Sequence, residues 1–439
     1  MSELNEQQAR ELLEKVLRMS RADSCQVSVG GGTGGNIRYA RNTVSTAGET
    51  TNRSLNVTAN FGRKSGSASG NEFDDVALER VVRRAEELAR LAPDNPEFID
   101  LLGPQQYART PGYHEATAAI TPDFRAQVAA DSILPSKNRG CVAAGFLQDN
   151  AGWSAMMNSK GLFAYDRRTG VNFSLTVRTE DEQGSGYVER SYNDVTQFDP
   201  AATAAIAIEK AVASRVTRAI EPGKYTVVLE PTAVSDFMGG IVFGFNARAA
   251  EEGRSYLSKP GGQTRLGEKL VSELVTLSSD PMNPEVPASP WGQDGLPRKP
   301  MTYIENGVVK ALNYDRVWAA RKGVEPTAGG GNMIMAGGTG GSVADLIRTT
   351  TRGVLVTRFW YIRSVDPQTG LNTGLTRDGT FYIENGRILY AIKNFRFNES
   401  PIIMLNNIDA LGTPVRAGNS LLPPIRARDF TFSSLSDAV

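Results

Sequence analysis

The chain has 439 residues, 40% of them hydrophobic, which is enough for about two or three domains with real cores. Its 48 lysines and arginines balance its 48 aspartates and glutamates, so it lacks the excess positive charge of proteins that bind nucleic acid or anionic membranes. We therefore predict a globular protein with no direct nucleic-acid partner and no membrane partner.

A single histidine, His114, limits the chemistry available to the chain. Imidazole is a common metal ligand and proton carrier, and most hydrolytic sites that use it need more than one. Glu115 follows His114, but the tract HEATAAI has no second histidine where a helical zinc motif would place it. We interpret His114 as a partly exposed loop residue, because Pro111 and Gly112 precede it.

The two cysteines indicate a reducing compartment. Cys25 and Cys141 each lie in an apolar, strand-like run, as expected for buried free thiols. The N-terminus carries charges from Glu3 onward and has the pattern of an amphipathic helix, unlike a signal peptide. No apolar stretch approaches the length of a membrane span, so we expect a cytoplasmic protein.

Residues 1–220 are predicted to form an N-terminal α/β region. Apolar residues at helical spacing predict one helix at the N-terminus and a second one that ends before Pro93. Asp74-Asp75 is the N-cap signal of the second helix. Strands are expected at 26–29, 36–40 and 54–61, with the glycine run 30–35 separating the first two. A connector near residues 93–115 is a candidate sub-boundary.

In the remainder of this region, two more helices and a second group of strands are predicted. Asn158-Ser159-Lys160-Gly161 has the turn chemistry of a hairpin, and Glu221-Pro222-Gly223 breaks the chain and marks the main boundary. The predicted helices span about 121–133 and 200–218, and the predicted strands span 141–148, 154–158, 170–178 and 186–192.

Residues 221–439 are predicted to form a β-rich C-terminal domain with hairpins, which gives an α+β fold overall. A strand at 224–229 leads into a helix from Pro231 to about Glu252. The sequence Tyr-Ile-Glu-Asn-Gly occurs at 303–307 and again at 382–386, and each Asn-Gly pair predicts a hairpin turn. A glycine-rich stretch at 329–341 precedes a short helix at 343–347.

Familiar catalytic motifs are not found. The glycine-rich stretch 329–341 has no P-loop lysine after it and no dinucleotide fingerprint, so we interpret it as turns or a substrate-side loop. No G-x-S-x-G elbow is present. The acidic pairs Asp74-Asp75 and Glu251-Glu252 are explained by a helix cap and a solvated helix end.

Several motifs in the right order resemble the TldD/PmbA family, bacterial and archaeal proteins described as modulators of DNA gyrase and as metallopeptidases in peptide maturation. The segment from Lys224 to Pro281 is similar to the family's strand, active-site helix and following Gly-Glu-Lys stretch, here Leu266 to Lys269. Residues 158–161, 365–370 and 382–386 are similar to further family landmarks.

The resemblance places the family's metal motif on glycines. In the TldD branch the helix carries His-Glu-x-x-x-His, whose histidines bind a metal and whose glutamate acts as a general base. When the strand and the helix are aligned, this six-residue motif falls on residues 239–244. Gly239 and Gly244 then stand where the family has its two histidine ligands, and Gly240 stands where it has the glutamate base. The C-terminal cysteine ligand is also missing, because residues 414–424 contain none.

This departure is typical of the PmbA, or TldE, side of the family. The resemblance implies a non-catalytic subunit that pairs with a TldD-type metallopeptidase, or with itself, and binds partner or peptide in proteolysis. We predict no metal, no cofactor and no catalytic residue, and we expect no peptidase activity from the chain alone. Two alternatives stay open: a hydrolase with a non-histidine mechanism, and a stand-alone homodimeric binding protein.

The helix around these glycines carries two further predictions. Gly239 and Gly240 each cost about 1 kcal/mol relative to alanine in a helix, so either close packing against a sheet or partner chain, or a locally broken helix, is expected there. The apolar residues beside them are predicted to be core: Phe237, Met238, Ile241, Val242, Phe243 and Phe245.

Overall fold

A computed structural model describes residues 3–436 and contains ten α-helices within that range. The helices are α1 (Glu6–Met19), α2 (Asp75–Leu91), α3 (Glu115–Ala118), α4 (Pro122–Asn138), α5 (Pro200–Ala213), α6 (Pro231–Met238), α7 (Ala247–Glu251), α8 (Arg316–Lys322), α9 (Val343–Arg348) and α10 (Pro401–Asn406). Asp74 caps α2 by accepting from the Ala77 N–H, as the sequence predicted. Within the described residues, no helix combines the length and apolar character needed to cross a membrane.

The N-terminal region is built on one antiparallel six-stranded sheet. Its strands are β1 (Ser24–Ala40), β2 (Thr43–Phe61), β3 (Lys64–Gly70), β4 (Cys141–Asn158), β5 (Phe163–Thr179) and β6 (Ser185–Tyr192), in the order β3-β2-β1-β4-β5-β6. Alternate side chains of β5 are buried from Val171 to Val177, the period of a sheet with one covered face. Helices α1 and α2 cover one part of that face, and α4 and α5 cover another.

The glycine run 30–35 lies inside β1, so the prediction that it separates two strands is wrong. Its residues pair in register with both β2 and β4. Gly35 is needed for close approach: a Cβ there would overlap the guanidinium of Arg125. That guanidinium is buried and bonds Asp149, with Nε to Oδ1 at 2.6 Å and Nη2 to Oδ2 at 2.9 Å. Glycine here makes room for a buried ion pair and does not end the strand.

Other boundaries also differ from the predicted ones. Strands predicted at 141–148 and 154–158 are one strand, β4, which hydrogen-bonds along its length with β1 and β5. Helix α4 continues to Asn138 despite Pro135, and α5 ends at Ala213. The Asn158 turn is confirmed: the Asn158 N–H donates to the Leu162 carbonyl and closes the β4–β5 hairpin.

As far as Ser436, the C-terminal half contains three sheets, of which the largest has ten strands. Its strand order is β16-β17-β20-β24-β8-β15-β18-β19-β7, with β21 paired to β24. The remaining strands form a six-stranded sheet, β13-β12-β11-β14-β23-β22, and a two-stranded one, β10-β9. Their bounds are β7 (Thr217–Arg218), β8 (Lys224–Leu229), β9 (Ser258–Lys259), β10 (Gln263–Thr264), β11 (Leu277–Ser279), β12 (Met301–Glu305), β13 (Val308–Val309), β14 (Met333–Met335), β15 (Arg352–Val356), β16 (Phe359–Asp366), β17 (Leu371–Thr376), β18 (Thr380–Glu384), β19 (Arg387–Ile392), β20 (Phe395–Glu399), β21 (Ile408–Leu411), β22 (Val415–Ala417), β23 (Ser420–Leu422) and β24 (Ile425–Leu435).

Both predicted Asn-Gly hairpins are confirmed. Asn306 and Gly307 join β12 to β13 with φ values of 48° and 79°, and Asn385 and Gly386 join β18 to β19 with φ values of 50° and 78°. Positive φ at both central residues is the type I′ turn that this dipeptide favours. The mixed α+β fold with a β-rich C-terminal half is therefore confirmed, and the division at residue 220 stays a prediction.

Candidate functional site

The candidate site begins where β8 runs into α6. Pro231 occupies the first turn of α6, where its missing N–H costs nothing, and the helix ends after Met238. A 3₁₀ helix then spans Ile241–Phe245, and Asn246 caps α7 by accepting from the Ala249 N–H. The prediction of one continuous helix to about Glu252 is wrong, because the glycines and the Asn246 cap divide it into three pieces.

Gly239 and Gly240 are exposed at this break. Within residues 3–436, a Cβ built on Gly240 meets no atom within 4 Å beyond the adjoining backbone, and one on Gly239 meets only carbonyl oxygens of its own helix, at 3.5 and 3.7 Å. Close packing against this chain's own sheet is therefore wrong for both residues. A locally broken helix is the alternative that the structure supports, and packing of these glycines against a partner chain stays a prediction.

Gly244 is the glycine that packs closely. A Cβ at this position would overlap the ring of Tyr256 and lie 2.6 Å from its hydroxyl oxygen. Tyr256 is held in place because its hydroxyl donates to the Ile241 carbonyl at 2.6 Å, and Ser255 Oγ donates to the Gly244 carbonyl at 2.7 Å. Burial raises the pKa of the Tyr256 phenol. The ring of Tyr256 thus occupies the space that a side chain at position 244 would need.

The three glycines line a groove of about 500 Å³, which we call the glycine groove. Its walls come from α6, the 3₁₀ helix, the edge strand β16 and the start of α10. The lining residues are Asp236, Gly239, Gly240, Ile241, Phe243, Gly244, Arg254, Ser255, Tyr256, Ile362, Ser364, Pro367, Gly370, Asn372, Pro401 and Ile402. The surface is a mixture of apolar, backbone and polar groups, with open space above Gly240.

Asp236 is a titratable group of this groove that sequence reasoning missed. Its Oδ2 accepts the Phe359 N–H at 3.0 Å. Burial raises the pKa of Asp236 to about 7, while that hydrogen bond and the nearby Arg358 guanidinium act in the opposite direction. Its only sequence signal is that it is the one charged residue of α6. Its pKa also depends on β16, more than a hundred residues away.

The apolar neighbours of the glycines divide into two sets. Phe237, Met238, Ile241 and Phe245 are buried, as predicted. Val242 and Phe243 are exposed to 36% and 78%, so their prediction as core residues is wrong. The reason is local, since the 3₁₀ turn replaces the helical face on which the prediction was based.

Three family models match the chain in order. Residues 25–89 match the PmbA/TldA metallopeptidase domain 1, residues 119–215 match the central domain, and residues 222–434 match the C-terminal domain. The chain belongs to the PmbA/TldD family. The family resemblance drawn from the sequence motifs is confirmed.

Relatives of this PmbA/TldD family member cover most of its length. Metalloprotease PmbA of Escherichia coli O157:H7 is 21% identical over 440 residues, which is 93% of each protein. A metalloprotease of Methanothermobacter thermautotrophicus is 26% identical over 296 residues, covering 60% of this chain and 61% of the relative. TldE from Thermococcus kodakarensis superposes with a TM-score of 0.87 at 18% identity, covering 97% of this chain and 99% of that one, which shows a shared fold.

The residues that the sequence alignment places at the family's metal motif do not fit a metal ion. A zinc or similar ion needs side-chain nitrogen, sulfur or oxygen donors, and Gly239, Gly240 and Gly244 supply none. Across residues 3–436, no group of three or more histidine, cysteine or acidic side chains is placed to hold one. His114 lies elsewhere, before α3, with its Nδ1 3.7 Å from Asp194 Oδ2.

The other residues singled out by the sequence have structural roles. Cys25 and Cys141 are free and buried, and burial raises the pKa of each thiol. Glu251 forms an ion pair with Lys322 and accepts from the Tyr314 hydroxyl at 3.2 Å, so it is more enclosed than a solvated helix end.

The glycine-rich stretch 329–341 packs against neighbouring segments. Cβ atoms at Gly338 and Gly340 would each lie 2.7 Å from the Leu411 carbonyl oxygen. Glycine at these two positions therefore permits close approach to β21, and this part of the stretch is a packed segment of the C-terminal half.

Proposed function

We propose that this chain is a non-catalytic, metal-free subunit that pairs with a metal-bearing TldD-type member of its family in proteolysis or peptide maturation. The proposal rests on the sequence alignment of the family's metal motif with Gly239, Gly240 and Gly244, which carry no donor side chain, and it is supported by the Tyr256 ring, which fills the space beside Gly244. A metal-dependent relative would supply the Lewis acid that polarises the scissile carbonyl and activates water. This chain would contribute binding surface.

The glycine groove is the surface that we propose for a peptide. It lies beside β16, the outermost strand of the ten-stranded sheet, and Ile362 and Ser364 of that strand line it. An extended peptide can add to such an edge through backbone hydrogen bonds. The exposed Phe243 ring and the bare backbone of Gly239 and Gly240 offer it apolar and close contacts.

The experiment compares the chain alone with the chain coexpressed with a relative that keeps His-Glu-x-x-x-His. Metal content, oligomeric state and cleavage of an unfolded peptide are measured for both preparations. We expect a stable complex that contains one metal ion per copy of the relative. Peptide cleavage by this complex should require the relative. Stoichiometric zinc and cleavage by this chain alone would contradict the proposal, and exclusive self-association would favour a stand-alone binding protein.

Asp236 supports a second candidate, a hydrolase with a carboxylate mechanism. A carboxyl with a pKa near neutrality beside a groove is suited to general acid or base catalysis. Its hydrogen bond argues for a structural role instead, because Oδ2 accepts the backbone N–H of Phe359. Loss of peptide cleavage in Asp236→Asn of the isolated chain would support the hydrolase, and no cleavage by the unmodified chain would eliminate it.

A further inference from the structure

Three arginines gather where the N-terminal sheet meets the C-terminal half. Arg168 lies on β5, Arg298 lies just before β12, and Arg416 lies on β22. Arg416 Nη1 donates to Asn193 Oδ1 at 2.8 Å, and Asn193 Nδ2 donates at 2.6 Å to the carbonyl of Thr169, the residue after Arg168. Asn193 therefore links the Arg416 side chain to the backbone next to Arg168.

Arg298 joins the cluster through one loop. Its Nη1 donates to the Ser289 carbonyl at 3.1 Å, and Arg416 Nη1 donates to the Glu285 carbonyl at 2.6 Å. The segment between Glu285 and Ser289 therefore connects the two side chains through its backbone. Arg168, Arg298 and Arg416 are called the arginine cluster below.

The cluster has too little negative charge around it. Arg168 Nη2 is 3.5 Å from Asp166 Oδ2, a long contact, and neither Arg298 nor Arg416 forms an ion pair within 4 Å in the described chain. The Arg416 guanidinium donates to the carbonyls of Gly418 and Glu285, and the negative charge of the Glu285 carboxylate offsets only part of the fall in its pKa. Burial lowers the pKa of all three guanidinium groups, and the charge of Arg168 lowers those of Arg298 and Arg416 further, the latter to about 10. The like charges thus repel one another at the junction.

Two donors of the cluster are also unpaired. Arg168 Nε and Arg298 Nε are buried and have no hydrogen-bond acceptor among residues 3–436. Buried donors are paired in most proteins, so such groups need an explanation. The Arg168 side chain as a whole is 33% exposed, although its Nε is buried, so other atoms of this side chain reach the solvent.

We propose that Arg168, Arg298 and Arg416 form a binding site for a small oxyanion, a phosphate or a carboxylate group. Guanidinium groups present planar pairs of N–H donors that match the oxygens of such groups. A bound oxyanion offsets the repulsion among the three charges and bridges β5 to β22. The site is independent of the glycine groove and of any metal-bearing partner.

The first test is thermal unfolding of the full chain in inorganic phosphate, in acetate and in chloride at equal ionic strength. For a cooperative unit of about 200 residues, selective binding to the folded state raises the melting temperature by about 3–5 °C for each tenfold rise in concentration above the dissociation constant. A concentration-dependent rise of this size in phosphate alone identifies a phosphate site, and a rise in both identifies a general oxyanion site. No rise beyond chloride in either salt overturns the proposal.

Variants separate binding from the general stabilisation that phosphate gives by exclusion from protein surfaces. Arg416→Gln is expected to lose the concentration-dependent shift, and Arg298→Gln gives the same reading if Arg416→Gln does not fold. Arg363→Gln is the control, because Arg363 stacks on Tyr361 outside the cluster and should keep the full shift. If both cluster variants respond to phosphate as the unmodified chain does, the proposal is wrong.

Discussion

Replacing Gly244 and Gly240 separately by alanine should change stability in opposite directions. At Gly244 the new Cβ overlaps the Tyr256 ring, whereas at Gly240 it enters open space. Gly240 has helical φ and ψ values of −87° and −14°, which alanine adopts readily. The two variants add the same methyl group four residues apart, so each is the control for the other.

The magnitudes follow from these contacts. Overpacking costs about 1–3 kcal/mol if Tyr256 stays in place. If the ring is displaced, the loss of its hydrogen bond to the Ile241 carbonyl costs about 1 kcal/mol, and the loss of aromatic burial costs about 1.5–3 kcal/mol more. Gly240→Ala should instead stabilise the fold by about 0.4–1 kcal/mol, because alanine restricts the unfolded chain.

Differential scanning calorimetry of both variants measures this difference. For a cooperative unit of about 200 residues, a loss of 2–4 kcal/mol lowers the melting temperature by at least about 4 °C. In a chain that already carries Tyr256→Ala and so lacks the ring, Gly244→Ala should cause little further loss of folding stability. The steric argument fails if Gly244→Ala is as stable as the unmodified chain, or if its cost is the same with and without the Tyr256 ring.

Three further predictions concern other parts of the fold. Asp236→Asn should be more stable than the unmodified chain by an amount that grows from pH 5 to pH 8, to at most about 4 kcal/mol in urea titrations. The sign follows because the folded-state pKa of Asp236 is raised, so its stabilisation is lost as pH rises towards 7; a constant difference would contradict it. Gly35→Ala should lower the folding stability by about 3–5 kcal/mol, because it displaces Arg125 from the buried Asp149. Gly48→Ala is the control and should have little effect, since a Cβ there enters open space. Equal melting temperatures of the two variants would refute the close approach at Gly35. We also propose that residues 1–220 and 221–439 are separate units, so limited proteolysis should cut first near 93–115 or 214–223, and early cuts within β1 or β24 would argue against this division.

The sequence predicted those features that depend on neighbouring residues. The two Asn-Gly turns, the Asp74 cap and the turn at Asn158 each follow from the conformational preferences of a few adjacent residues. The order of strand β8 and helix α6 was also predicted from sequence, whereas the alignment of the metal motif with residues 239–244 stays a prediction.

Features that depend on distant residues were missed. From sequence alone, Gly35 is expected to interrupt a strand and Gly244 to weaken a helix. In the structure, glycine is needed at these positions because Arg125 packs against the first and the Tyr256 ring packs against the second. The raised pKa of Asp236 requires β16 to enclose it. In each case the deciding contact joins segments that the local pattern does not relate.

The central claim is that this chain gives its family's peptidase a metal-free subunit. The most direct measurement is the metal content and peptide cleavage of the purified chain before and after it is mixed with a relative that keeps both histidines and the glutamate. We predict no stoichiometric metal and no cleavage before mixing, and a complex with one metal ion per relative and active cleavage after mixing. Stoichiometric metal with cleavage by this chain alone would contradict the claim.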